Sequence, residues 1–365
     1  MRATLKDVAA EAGVSLQTVS NVINGRFSHV GEETRGLVLA AIERLNYHPN
    51  SAARHLRRSQ VGVIAFAIPD LANTFFADIG NAVAAAAAER SYQLLLAPTG
   101  ADRANEARIA NGLHPHLVDG VILFPFALRS EDLDHGSTRI PTVILGERLT
   151  GTPFDHIVID SVAGARLATS HLISLGRRRI AALGIRHDIA GEFARLRLQG
   201  YSQALAAAGR SIDPELIVPA EQNYRANGAR AMQCLLELDD PPDAVFCFSD
   251  TLAIGAMRTL YEAGYRIPDD VAVIGWDGIE EGLFATPSLS TIAINKDKMG
   301  RMAVSLLTDR IKDGNRIPPR YVDAPFDLVV RESAGGQRSH VTLPPLSDNA
   351  LRPISDLAAV ERRKL

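Results

Sequence analysis

The sequence predicts an N-terminal all-α helix-turn-helix headpiece followed by an α/β core of two doubly wound parallel-sheet lobes. Three observations carry this. Residues 4–23 hold two short amphipathic patterns separated by a Gly turn. From Val61 onward, short apolar runs alternate with longer helical patterns, the rhythm of a parallel sheet with helices on both faces. At 365 residues and 46 % apolar content, the chain is too long for one small domain and can bury the cores of two or three.

The headpiece is legible turn by turn. Thr4 is placed to cap a helix whose third residue is Asp7, the capping-box spacing, and Leu5, Val8, Ala9 and Ala12 share its apolar face. Gly13 ends that helix and Val14 packs under the turn. Ser15 caps the next helix, with Val19, Val22 and Ile23 turned inward and Leu16, Gln17, Ser20 and Asn21 outward. A third helix runs from about Glu32 to Leu45 on Val38, Ala41, Ile42 and Leu45, with Gly31 as its cap, and stops at Pro49. The outward amides matter because Gln and Asn can each make two hydrogen bonds to an adenine edge, while Ser and Thr reach phosphates.

In the core, VGVIAFAI, FADIGNAVAAAAAER, YQLLLAP, a helix near 103–112, DGVILFP and TVILG form a first series. A second starts after about Asp160 with VAGARLATSHLISLG and RIAALGI. It continues through EFARLRLQGYSQALAAAG, LIVP, ANGARAMQCLLEL, AVFCFSD, TLAIGAMRTLYEAG and VAVIGWD. Two lobes of this plan leave a cleft at the carboxyl ends of their strands, where a small ligand belongs. Asp277 ends one buried strand and can accept hydrogen bonds from two neighbouring hydroxyls. Phe75, Phe76, Tyr224 and Trp276 offer faces on which sugar or purine rings stack, one of the adjacent Phe residues being core.

The N-terminal motifs DVAxxAGVSxxTVSxVIN, then TR, then LNYxPNxxARxL make the chain similar to the lactose-repressor (LacI/GalR) family of bacterial transcription regulators. Weaker motifs extend the resemblance from Val61 to about Gly336. It implies a periplasmic-binding-protein-like core in which the chain returns to the first lobe before a last strand in the second. The expected domains are a headpiece at 1–49, a hinge at 50–60, a first lobe at 61–160 and 292–323, a second lobe at 161–291 and 324–336, and a tail at 337–365. The tail is too Pro-interrupted for a tetramer-forming helix, so a homodimer is expected.

The resemblance also implies residue roles. Leu16, Gln17 and Asn21 stand at base-reading positions, the last carrying Asn where Arg is frequent. Thr4, Thr18, Ser20, Thr34, Arg35 and Tyr47 would position the headpiece on the DNA backbone. Asn50, Arg54, Leu56 and Arg57 fall in the hinge, which folds on DNA and lets Leu56 wedge into the minor groove. In the cleft, Arg197, three residues before Gly200, is the expected ligand clamp. Ser249 stands where relatives often carry Asn, and Lys296 where some carry an aromatic. Asp250 reads as a helix cap, Asp119 as a structural loop residue, and Arg177 to Arg179 as a solvated turn.

Net charge agrees with this division: residues 1–60 carry +3 and the remainder −6, a basic end on an acidic body. Cys234 and Cys247 sit in apolar company and read as buried thiols. His114 and His116 have no third ligand nearby, so no metal is expected, and no cofactor. Nucleotide-binding, nucleophile-elbow and zinc-helix motifs are missing, which argues against an enzyme. With no apolar run of membrane length and no export signal, the expected location is the cytoplasm. The reading is a repressor of operator DNA controlled by a sugar inducer. Alternatives are a regulator with a purine or other metabolite as corepressor and, further off, a solute-binding receptor.

Overall fold

The computed structural model describes residues 3–23, 27–47, 61–112, 117–133, 140–147, 149, 151–186, 192–313 and 318–337. The expected hinge, all of the expected tail but Gln337, and His114 and His116 lie outside the described residues.

The headpiece comprises α1 (Leu5–Ala12), α2 (Leu16–Ile23) and α3 (Glu32–Arg44). Thr4 and Asp7 close a capping box, with the Thr4 amide 2.7 Å from Asp7 Oδ2. Gly13 ends α1 at φ +65°, a left-handed conformation that glycine adopts without a Cβ clash. Ser15 Oγ accepts from the Thr18 amide at 3.1 Å, and Gly31 precedes α3 with no side-chain cap. Val8, Val19, Val38 and Ala41 are fully buried and form the centre of this small core.

The first lobe is built from β1 (Val63–Ile68), α4 (Thr74–Glu89), β2 (Gln93–Pro98), α5 (Arg103–Ala110), β3 (Gly120–Leu123), β4 (Thr142–Leu145) and β5 (Asp155–Val158). The second holds α6 (Ser161–Ser174), β6 (Ile180–Ile185), α7 (Glu192–Ala207), β7 (Ile217–Pro219), α8 (Arg225–Leu236), β8 (Ala244–Cys247), α9 (Asp250–Glu262), β9 (Ala272–Asp277), α10 (Glu280–Leu283) and β10 (Ser290–Ile294). The chain then returns through α11 (Lys296–Asp313) and β11 (Tyr321–Asp323) to the first lobe, and ends in the second with β12 (Phe326–Val329).

Each sheet has six strands, in the orders β11-β5-β4-β3-β1-β2 and β12-β10-β9-β8-β6-β7. All pairings are parallel except β10 with β12. The strands are apolar on both faces because helices cover both. Two details differ from the sequence reading. Residues 292–294, expected in the first lobe, complete β10 in the second, because their register continues against β9 and β12. Strand β5 had no separate expectation. Cys247 is buried as expected, whereas Cys234 lies exposed on α8, whose inward positions are Gly228, Ala231, Met232 and Leu235.

Asp155, fully buried at the start of β5, locks the returning segment to the first lobe. Arg310 Nε and Nη2 donate to it at 2.9 and 2.7 Å, and the Arg320 amide and Nη2 at 2.8 Å each. Burial alone would raise its carboxyl, but these donors prevail and hold it below the usual value of 3.8. Asp155 therefore stabilises the fold fully above that value and progressively less as pH falls below it. Removing one partner of a buried pair leaves the other uncompensated, so Arg310→Met should cost about 3 kcal/mol in denaturant unfolding. A change under about 1 kcal/mol would contradict that role.

Candidate functional site

On the headpiece, α2 buries Val19 and Val22 and presents Leu16 and Gln17 to solvent, with Ser20 and Asn21 half-buried beside them. Gln17 Nε2 donates to Asn21 Oδ1 at 3.1 Å, so the two amides are already oriented as a pair one helical turn apart. Thr18 Oγ1 lies 2.9 Å from Ser15 Oγ at the start of the helix. The Arg35 guanidinium lies over the half-exposed Phe27 ring, 4.2 Å from its centroid, and Thr34 is half-buried next to it. Two expected backbone contacts do other work. The Thr4 hydroxyl belongs to the capping box, and the Tyr47 ring is 8 % exposed within the headpiece core. Asn50, Arg54, Leu56 and Arg57 lie outside the described residues.

In the cleft, Arg197 and Asp277 face a cavity of about 40 Å³ whose walls are largely phenylalanine. Phe75 and Phe76 both line it, with Phe124, Phe126 and Phe193. Their ring centroids stand 5.1 to 6.1 Å apart, and Phe193 of the second lobe meets Phe124 and Phe126 of the first. The Phe126 loop is held from below by buried Glu106, which accepts from the amides of Phe126, Ala127 and Leu128 at 2.7 to 2.9 Å. Phe124, Phe126 and Phe193 had no individual signal in the sequence, because they meet only when three distant segments converge.

The Arg197 guanidinium lies over the Trp276 ring, 4.2 Å from its centroid, and its Nη1 donates to Phe248 O. Burial pushes it down to about 10, opposed by Asp277, Glu147 and Asp250. Its buried Nε, the free oxygen of Glu147 and Ser161 Oγ have no hydrogen-bond partner among the described residues. Unsatisfied hydrogen-bonding capacity is therefore concentrated near Arg197. Asp277 is 5 % exposed at φ +121°, and burial pushes its carboxyl up to about 8 against the pull of Arg197 and Lys296. A backbone this far into the left-handed half is strained for a non-glycine residue.

Trp276, Ser249 and Lys296 were expected at the ligand and do not line the cavity. Trp276 is fully buried and forms the platform under Arg197; a Cβ at Gly164 would stand 2.6 Å from its ring, so α6 can pass only with glycine there. Ser249 caps α9 through the Leu252 amide at 3.2 Å. It takes the place expected of Asp250, whose carboxylate instead accepts from Thr291 Oγ1 at 2.7 Å and the Ile279 amide at 2.9 Å. Lys296 joins the lobes: its ammonium is 3.0 Å from Asp78 on α4 and donates to Gly278 O at 2.5 Å. Tyr224 stands at the mouth, its hydroxyl donating across the cleft to Asp70. Asp119 accepts from the amides of Val61 and Gly62, as a structural loop residue should. Arg177 and Arg179 are tied to the Pro268 carbonyl and to Asp213 rather than free in solvent.

The family models match at both ends of this arrangement. Residues 4–50 match the bacterial regulatory proteins of the lacI family, and residues 169–334 a periplasmic binding protein-like domain. The chain is 36 % identical over 332 residues to the ribose operon repressor of Haemophilus influenzae, covering 91 % of this chain and 98 % of that one. The chain belongs to the lacI family of bacterial regulatory proteins. It is likewise 35 % identical over 335 residues to the transcriptional repressor PurR of Mannheimia succiniciproducens, with the same shares covered. Among solved structures it resembles the Lac repressor dimer bound to operator and the anti-inducer ONPF, with TM-score 0.73, 29 % identity, and 92 % and 99 % of the two chains covered. Membership makes this chain a DNA-binding transcriptional regulator and not an enzyme. Among the described residues no group of His, Cys, Asp and Glu could hold a metal, and no helix is long and apolar enough to cross a membrane.

Lys296 sits one residue past the crossover into the first lobe, so it reports whether lobe closure and ligand capture are linked in this lacI-family protein. Lys296→Met should weaken effector binding about tenfold, read by the emission of Trp276. In the Lys296→Met background, adding Asp78→Asn should change it by less than about twofold, because both substitutions break one contact. Fully additive effects would show that the two residues act separately.

Proposed function

We propose that this regulator is a homodimeric transcriptional repressor whose paired α2 helices read a near-palindromic operator and whose cleft binds a sugar that controls the grip on DNA. The observation that carries the ligand class is the Arg197–Asp277 edge inside a phenylalanine-walled cavity. A guanidinium and a carboxyl group lining one cavity can each bond sugar hydroxyls, and the rings cover the apolar faces of a sugar. The ribose operon repressor, similar over nearly its whole length, supports the same class. A purine corepressor is the second reading, favoured by the stacking surface of the same rings and by the likeness to PurR. The two differ in sign: an inducer binds the released state better, a corepressor the DNA-bound state. The working place of such a repressor is the cytoplasm, where its operator is.

The dimer face we assign is the edge of the first lobe. Strand β2 ends its sheet with Leu95 and Leu96 41 % and 45 % exposed, an apolar edge that a second copy would cover. The operator then spans about 14 to 20 base pairs with half-sites related by the dimer axis.

A mobility-shift titration of the full-length protein on DNA upstream of its own gene tests this reading. A shifted complex is expected at low salt, with affinity changed about 5- to 150-fold by the correct effector. No complex at low salt would refute the repressor. On the same operator, Asn21→Ala should cost about 1–3 kcal/mol and relax the preference at one base pair per half-site, because one bidentate amide contact is lost. Equal affinity and unchanged preference would remove Asn21 from the base-reading face.

A further inference from the structure

The cavity at Arg197 and Asp277 does not end at its phenylalanine walls. It adjoins a second, outer chamber of about 270 Å³, and the two share Asn73, Phe76, Phe126, Arg186 and Asn223 as common lining. The outer chamber adds Asp70, Gly100, Gln222 and Tyr224. It is nearly seven times the volume of the inner one. A ligand that ended at the Arg197–Asp277 edge would leave this larger space to water alone.

We propose that the effector is a neutral sugar of two units, the first held at the Arg197–Asp277 edge and the second in the outer chamber among Asp70, Gln222, Asn223 and Tyr224. This rests on the sugar reading above and extends it to a class of ligand. Two features of the walls select that class. The charged residues facing the joined chambers are Arg186 and Arg197 against Asp70 and Asp277, one acid for each base. Because both arginines share the lining with acids, the walls are not a purely basic seat for an anion and suit an uncharged ligand. The outer walls add amides and a phenol, groups that exchange hydrogen bonds with hydroxyls in both directions. Tyr224 offers a half-exposed ring on which the face of a second unit can rest, and its bond to Asp70 closes the chamber from the first lobe to the second.

Trp276 provides the assay, because it is the single tryptophan of the chain and lies under the Arg197 guanidinium. The full-length protein would be titrated with ribose, glucose, galactose and fructose, with the disaccharides cellobiose, maltose, lactose and sucrose, with glucose 6-phosphate, and with guanine and hypoxanthine. One disaccharide should bind at least tenfold more tightly than either of its constituent monosaccharides and than the sugar phosphate. Gln222→Ala should bring the ratio of disaccharide to monosaccharide affinity toward one. If a monosaccharide binds as tightly as every disaccharide, the second unit is refuted while the sugar reading stands. If only a purine or the sugar phosphate binds, or no sugar does, both are refuted.

Discussion

A guanidinium held inside the protein organises the cleft. Taking a charge out of water costs several kcal/mol unless it is paired, and Arg197 meets that cost with the Trp276 face, the Phe248 carbonyl and the charges of Asp277, Glu147 and Asp250. Each of these partners constrains something further away. Trp276 requires Gly164 on α6. The helix that carries Arg197 is seated by Gly200, where a Cβ would stand 2.2 Å from the Val162 carbonyl, so α6 and α7 pack backbone to backbone. Asp277 accepts a strained backbone to face the arginine. The arrangement leaves Arg197 Nε and one oxygen of Glu147 buried with no hydrogen-bond partner among the described residues.

The same centre is tied to the relation between the lobes. Three crossovers join them, and these are bonded to one another: the Ala324 amide donates to Val158 O at 2.7 Å and the Asn295 amide to Pro325 O at 3.0 Å. Rotation of one lobe on the other must pass through this bundle. Lys296 is its continuation, bridging the loop after Asp277 to Asp78 on α4. Asp78 and the cavity-lining Phe75 and Phe76 belong to one helix, so a ligand drawing on Asp277 and a shift of α4 bias the same equilibrium. Tyr224 bonded to Asp70 and Thr74 Oγ1 donating to Glu281 at 3.2 Å are further links between the lobes.

Legibility in the sequence followed the range of the interaction. The headpiece was readable almost residue by residue because its determinants are local: the Thr4–Asp7 box, Gly13, and Val19 and Val22 on one helical face. The βα rhythm was equally plain, but the return of α11 and β11 to the first lobe carries no local mark and came only with the family resemblance. In the cleft, Arg197 and Asp277 were marked by motif and by position at a strand end. Trp276 is expected at the ligand as a stacking ring, and Ser249 and Lys296 from the positions they share with relatives. Burial, helix capping and the bond of Lys296 to the Gly278 carbonyl of the other lobe decide otherwise, and none of these is visible without the partner segment. Glu106 shows the converse: a lone carboxylate in a helix, it orients the Phe126 loop through three backbone amides that lie twenty or more residues away.

The central claim is that the cleft and the operator are coupled through one equilibrium of the lobes. Linkage makes this measurable from either side, because an effector that changes operator affinity by some factor must have its own affinity changed by DNA by the same factor. The direct measurement is an effector titration followed by Trp276 emission, performed on the free protein and again with saturating operator duplex. Coupling requires the two dissociation constants to differ by at least about fivefold, with a ratio equal to the change the effector makes in operator affinity. Equal constants would contradict the account.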